Sequence, residues 1–115
     1  MNRKKNTPES LRREYERLCR SLAGVGYISR GSVLDRSTLR PPRSGYQWTR
    51  KVARKTTTVA LSPEQYQSMR EAIENHRSLQ KTIAKMEKLS RQILFKTLPD
   101  TLRRKPLTKN VFGLI

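Results

Sequence analysis

The chain is poor in histidine and cysteine, the residue types on which much acid-base catalysis, metal binding and covalent cross-linking depend. Among its 115 residues there is one histidine, His76, and one cysteine, Cys19. A single cysteine excludes an intramolecular disulfide, and these two residues alone cannot supply the ligands of a zinc site. The acidic residues form no pair suited to two-carboxylate chemistry, and no glycine-rich phosphate loop is present. The sequence therefore predicts a protein that is not an enzyme and that holds no metal or cofactor.

Long apolar segments are missing as well. Hydrophobic residues make up 34% of the chain, below the ~45–50% usual in globular domains, and no run approaches the ~18 residues of a membrane span. The basic start of the sequence is not followed by an apolar segment, so no signal peptide is expected. We therefore predict a small core and no membrane association, with part of the chain ordering only on a partner. The lone Cys19 favours a reducing, cytoplasmic setting.

Acidic residues are scarce relative to basic ones. The chain has 9 Asp and Glu against 26 Lys and Arg, a formal net charge of +17. Such a surplus destabilises a compact state by self-repulsion and is typical of proteins with a polyanionic partner, most often nucleic acid. Residues 1–55 hold 15 basic and 4 acidic side chains, residues 56–98 hold 7 and 4, and residues 99–115 hold 4 and 1. The N-terminal half is therefore the main candidate for phosphate contact.

The local patterns predict an α+β fold built as one small domain. The predicted elements are, in order, a disordered basic arm (1–6), a helix (8–23), a basic loop (24–45), a two-stranded antiparallel hairpin (46–61), a long helix (63–98) and a flexible tail (99–115). Thr7 before Pro8 is typical of a helix N-terminus. Ser62, Pro63 and Gln65 together form a capping-box pattern that starts the long helix.

The hairpin prediction depends on a β-branched run from Thr56 to Leu61 and on alternation that begins at Tyr46. Its turn is expected near 52–55, although the usual Asn-Gly signal is absent there. The preceding loop is rich in glycine, proline and arginine, and a short strand or turn near 33–34 is left open.

The apolar face of the predicted long helix changes direction along its length. One apolar cluster comprises Tyr66, Met69 and Ile73, and a second comprises Ile83, Met86 and Ile93. At the helical period the two clusters lie roughly 110° apart. The helix therefore either wraps a curved partner or is interrupted near 75–78. No glycine or proline stands there, which favours one long helix or two nearly collinear ones.

The loop and hairpin form the first candidate nucleic-acid surface. Arginine suits bidentate phosphate contact, and exposed aromatic rings can stack on unpaired bases. The candidate residues are Arg30, Arg36, Arg40, Arg43, Tyr46, Arg50, Lys51, Arg54 and Lys55. For Tyr46, base stacking and ordinary packing are both open. The only tryptophan, Trp48, is expected to anchor the core.

A stripe on the long helix forms the second candidate surface. Its basic members are Arg77, Lys81, Lys85, Lys88 and Lys96, of which the first four are the predicted contacts to backbone phosphates. The opposite side carries Ile83, Met86 and Ile93, an apolar stripe predicted to bind a protein partner. Homodimerisation is left open.

Several of these segments together resemble a known protein family. The residues concerned are the Arg-Gly-Ser-Val segment at 30–33, Tyr46 with Trp48 and Thr49, the Lys-Thr-Thr-Thr-Val run at 55–59, and Leu61-Ser62-Pro63-Glu64. Across residues 28–97 they resemble small basic bacterial proteins of unknown function that occur among transposon and repeat-associated genes. That family carries a cysteine cluster where this chain has basic and proline residues over 35–45. The resemblance implies a mobile-element accessory protein, and the family's metal role does not carry over.

A second resemblance is to ribbon-helix-helix repressors. It comes from the strand 56–61, the capped helix after it and the apolar residues beyond 78. In those repressors a two-fold dimer inserts paired strands into the major groove, which implies that Thr56, Thr58 and Ala60 contact bases. The glycine expected between the two helices is missing at 75–76.

The sequence as a whole predicts a non-enzymatic nucleic-acid-binding accessory protein of a larger nucleoprotein complex. RNA is favoured over duplex DNA, because an irregular arginine-rich segment with aromatics is typical of RNA binders. Association with the nucleoid or with a ribonucleoprotein follows from that prediction. The alternatives are a ribbon-helix-helix-like dimeric repressor and a helical protein-interaction subunit.

Overall fold

The computed structural model describes residues 7–102. In order, they form helix α1 (Pro8–Ser21), strand β1 (Ser32–Asp35), strand β2 (Tyr46–Val52), strand β3 (Lys55–Leu61) and helix α2 (Pro63–Thr97). The predicted α+β class is confirmed. The predicted arm over 1–6 and most of the predicted tail, from residue 103, lie outside the described residues.

Helix α1 begins at the predicted cap. The Thr7 side chain accepts a hydrogen bond of 3.2 Å from the Ser10 amide, and Pro8 occupies the first turn, where no amide hydrogen is needed. The helix ends at Ser21 and continues as a 3-10 turn over Leu22–Gly24, close to the predicted end at residue 23.

The three strands form one antiparallel sheet in the order β1-β2-β3. The predicted hairpin is present as β2 and β3, joined by a two-residue turn at Ala53 and Arg54. Strand β1 lies within the predicted loop over 24–45, where the sequence leaves a short strand or turn near 33–34 open, and it makes the predicted two-stranded hairpin part of a three-stranded sheet. Four residues of sequence Ser-Val-Leu-Asp carry little periodic signal, and their pairing with β2 is a tertiary contact.

The sheet register sorts the side chains onto two faces. Val33, Trp48 and Val59 are directly opposite one another and therefore share a face. Thr49 and Thr58 share the other face, where their hydroxyl oxygens are 3.4 Å apart. One face of the sheet is thus apolar in its centre and the other is polar.

Helix α2 is one continuous helix, unbroken across 75–78. Its start is the predicted capping box. The Ser62 hydroxyl accepts from the Gln65 amide (3.1 Å), and the Gln65 side chain accepts from the Ser62 amide (2.9 Å).

The chain divides into two compact units. One unit comprises residues 25–79, with the sheet and the first part of α2; the other comprises the residues up to 24 and those from 80 on. Helix α2 contributes to both, and the shift of its apolar face coincides with this boundary. The described residues hold four buried apolar side chains, two in each unit: Leu11, Leu18, Ala72 and Ile73. The expected small core is confirmed for this part of the chain. Neither helix in it combines the length and apolarity needed to cross a bilayer.

Candidate nucleic-acid interface

The end of the β2–β3 hairpin concentrates positive charge. Arg50, Lys51, Arg54 and Lys55 all lie there and are all exposed. Within residues 7–102, none of the four forms an ion pair. Four like charges so close together repel one another, and an anion bound at this end would relieve that repulsion.

The turn of this hairpin has an unusual backbone. Ala53 and Arg54 have φ angles of 49° and 67°, in the left-handed region. Two-residue hairpin turns need this geometry and normally use Asn-Gly, because residues with a Cβ destabilise it by about 1–2 kcal/mol each. The pairing along β2 and β3 holds the turn despite this cost, and the turn places the charged Arg54 at the tip.

A second cluster of cations forms a pocket of about 480 Å³ beside the sheet. It brings Arg30 together with Arg50 and Lys51, although Arg50 follows Arg30 by twenty positions in the sequence. The lining residues are Arg30, Gly31, Ser32, Thr49, Arg50, Lys51 and Thr56. Cations with hydroxyl groups and no carboxylate form a lining that suits a phosphate.

Acidic groups are absent from the sequence around this cluster. From residue 36 to residue 63 the chain has seven basic side chains and no acidic one. Asp35, immediately before, accepts hydrogen bonds from the Ser37 amide and hydroxyl at 3.0 and 2.7 Å. Its carboxylate is therefore already engaged in capping the short turn Arg36–Thr38.

The loop arginines differ in exposure. Arg40 and Arg43 are exposed, whereas Arg36 is half-buried. The Arg36 amide donates to the Gly45 carbonyl (2.9 Å), and the Arg36 carbonyl accepts from the Arg43 amide (3.0 Å). The Arg36 backbone thus closes this loop, and its buried Nε has no hydrogen-bond partner among the described residues.

The two aromatic residues of β2 are both half-buried. The Tyr46 ring packs on Tyr66, with centroids 4.3 Å apart and planes tilted by 30°. This contact occupies part of the Tyr46 ring, and base stacking by Tyr46 stays a prediction. Trp48 was expected to anchor the core, but it is only half-buried and is not among the four buried apolar side chains. Its indole Nε1 instead donates to the Arg30 carbonyl at 2.9 Å.

The predicted basic stripe of α2 is divided between the two units. Arg77 belongs to the unit with the sheet and pairs with Glu74 at 2.7 Å, which offsets its charge locally. Lys81, Lys85 and Lys88 belong to the other unit and are all exposed. Their spacing of four and three residues places them on one side of the helix.

The apolar stripe predicted to bind a protein partner is unevenly exposed. Ile83 is 44% exposed, whereas Met86 and Ile93 are half-buried. Further along the helix, Leu94 and Leu98 are more exposed than any of the three, at 52% and 58%.

Tyr27 is a residue that sequence reasoning missed. Its side chain is 90% exposed, although tyrosine usually buries much of its ring. In the sequence it stands alone in a glycine-containing segment without periodicity. Only its isolation among non-aromatic residues could have drawn attention to it.

Comparison with models of protein families, with curated proteins and with solved structures yields no match to this chain. The resemblances to the transposon-associated family and to ribbon-helix-helix repressors therefore stay predictions.

Proposed function

We propose that this protein is a non-enzymatic nucleic-acid-binding accessory subunit that contacts phosphates through its hairpin end and the adjoining basic pocket. One observation carries the proposal: Arg30, Arg50 and Lys51 share a pocket with hydroxyl groups and no carboxylate. Cations that bind phosphates release the counterions condensed on nucleic acid, and this release supplies most of the sequence-independent affinity.

A larger nucleoprotein assembly is the proposed setting, of the kind that the resemblance to mobile-element proteins implies. Four buried apolar side chains in the described residues make a thin core. Contacts with nucleic acid or a protein would add the stabilisation that a small core lacks. RNA is favoured over duplex DNA, because the irregular, arginine-rich loop over 24–45 is of a kind typical of RNA-binding segments.

The test measures affinity for a labelled oligonucleotide at several salt concentrations. The variant R50Q/K51Q/R54Q/K55Q removes the four hairpin charges. We expect it to weaken binding and to lower the slope of log affinity against log salt by about one for each phosphate that the variant no longer neutralises.

A matched control removes four charges elsewhere. The variant R12Q/R13Q/R20Q/R70Q also lowers the net charge by four and changes exposed helix residues only. We expect a smaller loss of affinity. Equal losses in the two variants would show that total charge, and not the hairpin, governs binding; absence of any salt-sensitive binding by the wild type would refute the proposed function.

The ribbon-helix-helix alternative makes a different prediction. Thr56, Thr58 and Ala60 do share one exposed face of β3. However, β3 already pairs with β2 of its own chain, so a second copy could pair only along its other edge. That alternative predicts a dimer in solution and protection of a palindromic duplex, which light scattering and footprinting would detect.

The protein-interaction alternative is favoured by the exposure of Ile83 on α2. It predicts that I83D breaks a complex with a protein partner while charge removal on the hairpin leaves that complex intact. Co-purification of the two variants from the source cells, followed by nuclease treatment, separates this alternative from nucleic-acid binding.

A further inference from the structure

One face of the sheet carries neither aromatic nor acidic side chains. Directly paired residues share a face and neighbours along a strand alternate, so the register assigns every strand position to one face or the other. The side chains of this hydroxyl face are Ser32, Leu34, Gln47, Thr49, Lys51, Thr56, Thr58 and Ala60. Asp35, the only acidic residue of the three strands, lies on the opposite face, paired with Tyr46.

The opposite face of the sheet is the one that packs on α2. The Tyr46 ring contacts Tyr66 of the helix, and Trp48 and Val59 line an apolar groove together with Met69 of the helix. The hydroxyl face therefore points away from the first part of α2. Five of its eight side chains are exposed and the other three are half-buried.

Three hydroxyl groups form a row across the middle of the hydroxyl face. Thr49 pairs with Ser32 on one side and with Thr58 on the other, and the two threonine hydroxyl oxygens are 3.4 Å apart. A hydroxyl group can donate one hydrogen bond and accept two, so the row offers both donors and acceptors. The 2′-hydroxyl of a ribose is likewise both donor and acceptor, and the row is complementary to it.

Cations lie directly beside this row. The basic pocket has Ser32 and Thr49 of the row in its lining, together with Lys51 and Thr56 of the hydroxyl face and Arg30. Both cations suit a phosphate oxygen. Along an RNA strand each ribose is joined to a phosphate, so hydroxyl groups and cations are needed side by side, as they are in this pocket.

The shape of the hydroxyl face favours a duplex over an unpaired strand. Double-stranded RNA has a wide, shallow minor groove that displays its 2′-hydroxyl groups, and a sheet face of mostly short side chains can approach such a groove. Unpaired bases are bound mainly by stacking on aromatic side chains. Tyr46 and Trp48, the aromatic residues of the sheet, lie on the opposite face.

We infer that the hydroxyl face binds the sugar-phosphate backbone of double-stranded RNA across its minor groove. Ribose 2′-hydroxyl groups contact Ser32, Thr49 and Thr58, and the neighbouring phosphates contact Arg30 and Lys51. This site rests on the proposed function and narrows its ligand to duplex RNA. Duplex DNA has the phosphates but lacks the 2′-hydroxyl groups, and it therefore binds this face more weakly.

The test compares four ligands of one sequence. They are an RNA duplex of about 16 base pairs, the length that double-stranded-RNA domains span, a DNA duplex, an RNA duplex with 2′-fluoro in place of every 2′-hydroxyl, and the single RNA strand. We expect the wild type to bind the RNA duplex most tightly. The 2′-fluoro duplex keeps the A form but has no hydroxyl to donate, so it should bind more weakly. This comparison needs no variant.

The variant T49V/T58V replaces two hydroxyl groups by methyl groups of similar shape. It should lower the affinity for the RNA duplex by about 2- to 10-fold for each hydroxyl, the range expected for one hydrogen bond. Its affinities for the DNA and 2′-fluoro duplexes should stay at the wild-type values. T57V is the matched control, because Thr57 is an exposed threonine of the same strand on the opposite face. K51Q should weaken the RNA and DNA duplexes alike.

The outcomes separate this inference from the proposed function. If the wild type binds the RNA, DNA and 2′-fluoro duplexes equally while the hairpin variant weakens all three, ribose recognition is refuted and phosphate binding stands. Tighter binding of the single strand than of the duplex refutes the inference as well, and so does an equal loss in T57V. If the free protein is a dimer that T49V/T58V dissociates, a second copy covers the face. If no ligand binds, the proposed function itself fails.

Discussion

The indole Nε1 of Trp48 donates a hydrogen bond of 2.9 Å to the backbone carbonyl of Arg30. The next residue, Gly31, has a φ of 104°, and a Cβ built on it would lie 2.5 Å from the same Nε1. The bond therefore depends on the absence of a side chain at residue 31. It joins the central strand of the sheet to the segment that leads into β1.

We predict that G31A destabilises the unit of residues 25–79 by more than about 2 kcal/mol. The new Cβ would collide with the indole and with the Thr49 carbonyl, and alanine disfavours a positive φ. Urea unfolding followed by Trp48 fluorescence measures the change. G24A is the matched control, because no atom lies within 4 Å of the Cβ it adds; equal stability of the two variants would contradict the prediction.

The hairpin turn allows stability and binding to be separated. A53N should stabilise the protein by about 0.5–1 kcal/mol, because asparagine tolerates the left-handed region better than alanine. It should leave oligonucleotide affinity unchanged. R54G should stabilise the turn for the same reason but weaken binding, with a salt slope lower by about one. Thermal unfolding and salt-dependent binding of both variants test this prediction, and equal affinity in the two would count against a role for Arg54.

The capping box of α2 should contribute measurably to stability. S62A removes the acceptor of the Gln65 amide and is expected to lower the free energy of unfolding by about 1 kcal/mol. Q65A removes the reciprocal bond to the Ser62 amide. Because the two side chains act on each other's backbone, a double-mutant cycle with S62A/Q65A should show coupling. Strict additivity of the two losses would argue against the reciprocal box.

The exposed lysines of α2 should contribute to nucleic-acid affinity without contributing to the stability of the fold. K81Q/K85Q/K88Q is expected to lower the salt slope by about one for each lysine that contacts a phosphate, with little change in the free energy of unfolding. E87Q, which removes an exposed acidic residue from the same stretch of helix, should act in the opposite direction and raise affinity. Affinity that is indifferent to both variants would restrict the interface to the hairpin unit.

Local signals predicted the helices and the hairpin well. The Thr7-Pro8 and Ser62-to-Gln65 patterns located both helix starts, because caps act within three or four residues of sequence. The β-branched run of β3 was similarly informative. Strand β1 was left open, because its pairing with β2 joins residues 11 to 17 positions apart.

The candidate site was only partly predictable. The hairpin cations were named from charge density, and the structure places all four at one end of the sheet. The grouping of Arg50 and Lys51 with Arg30 depends on the antiparallel register of β1 and β2, which no local pattern encodes. Tyr27 was missed because its significance lies in the hydrogen bond from Asn75, forty-eight residues away.

By itself, the sequence determined the excess of positive charge, the scarcity of catalytic and metal-binding residue types, and the helices and hairpin whose signals are local. The tertiary structure decided which cations share a pocket and which distant segments strand pairing brings together. The physical reason is the distance along the chain over which the interactions act. Capping and periodicity depend on neighbours along the chain, and net charge depends only on composition. Pockets form from residues that strand pairing and hydrogen bonds between distant segments bring together.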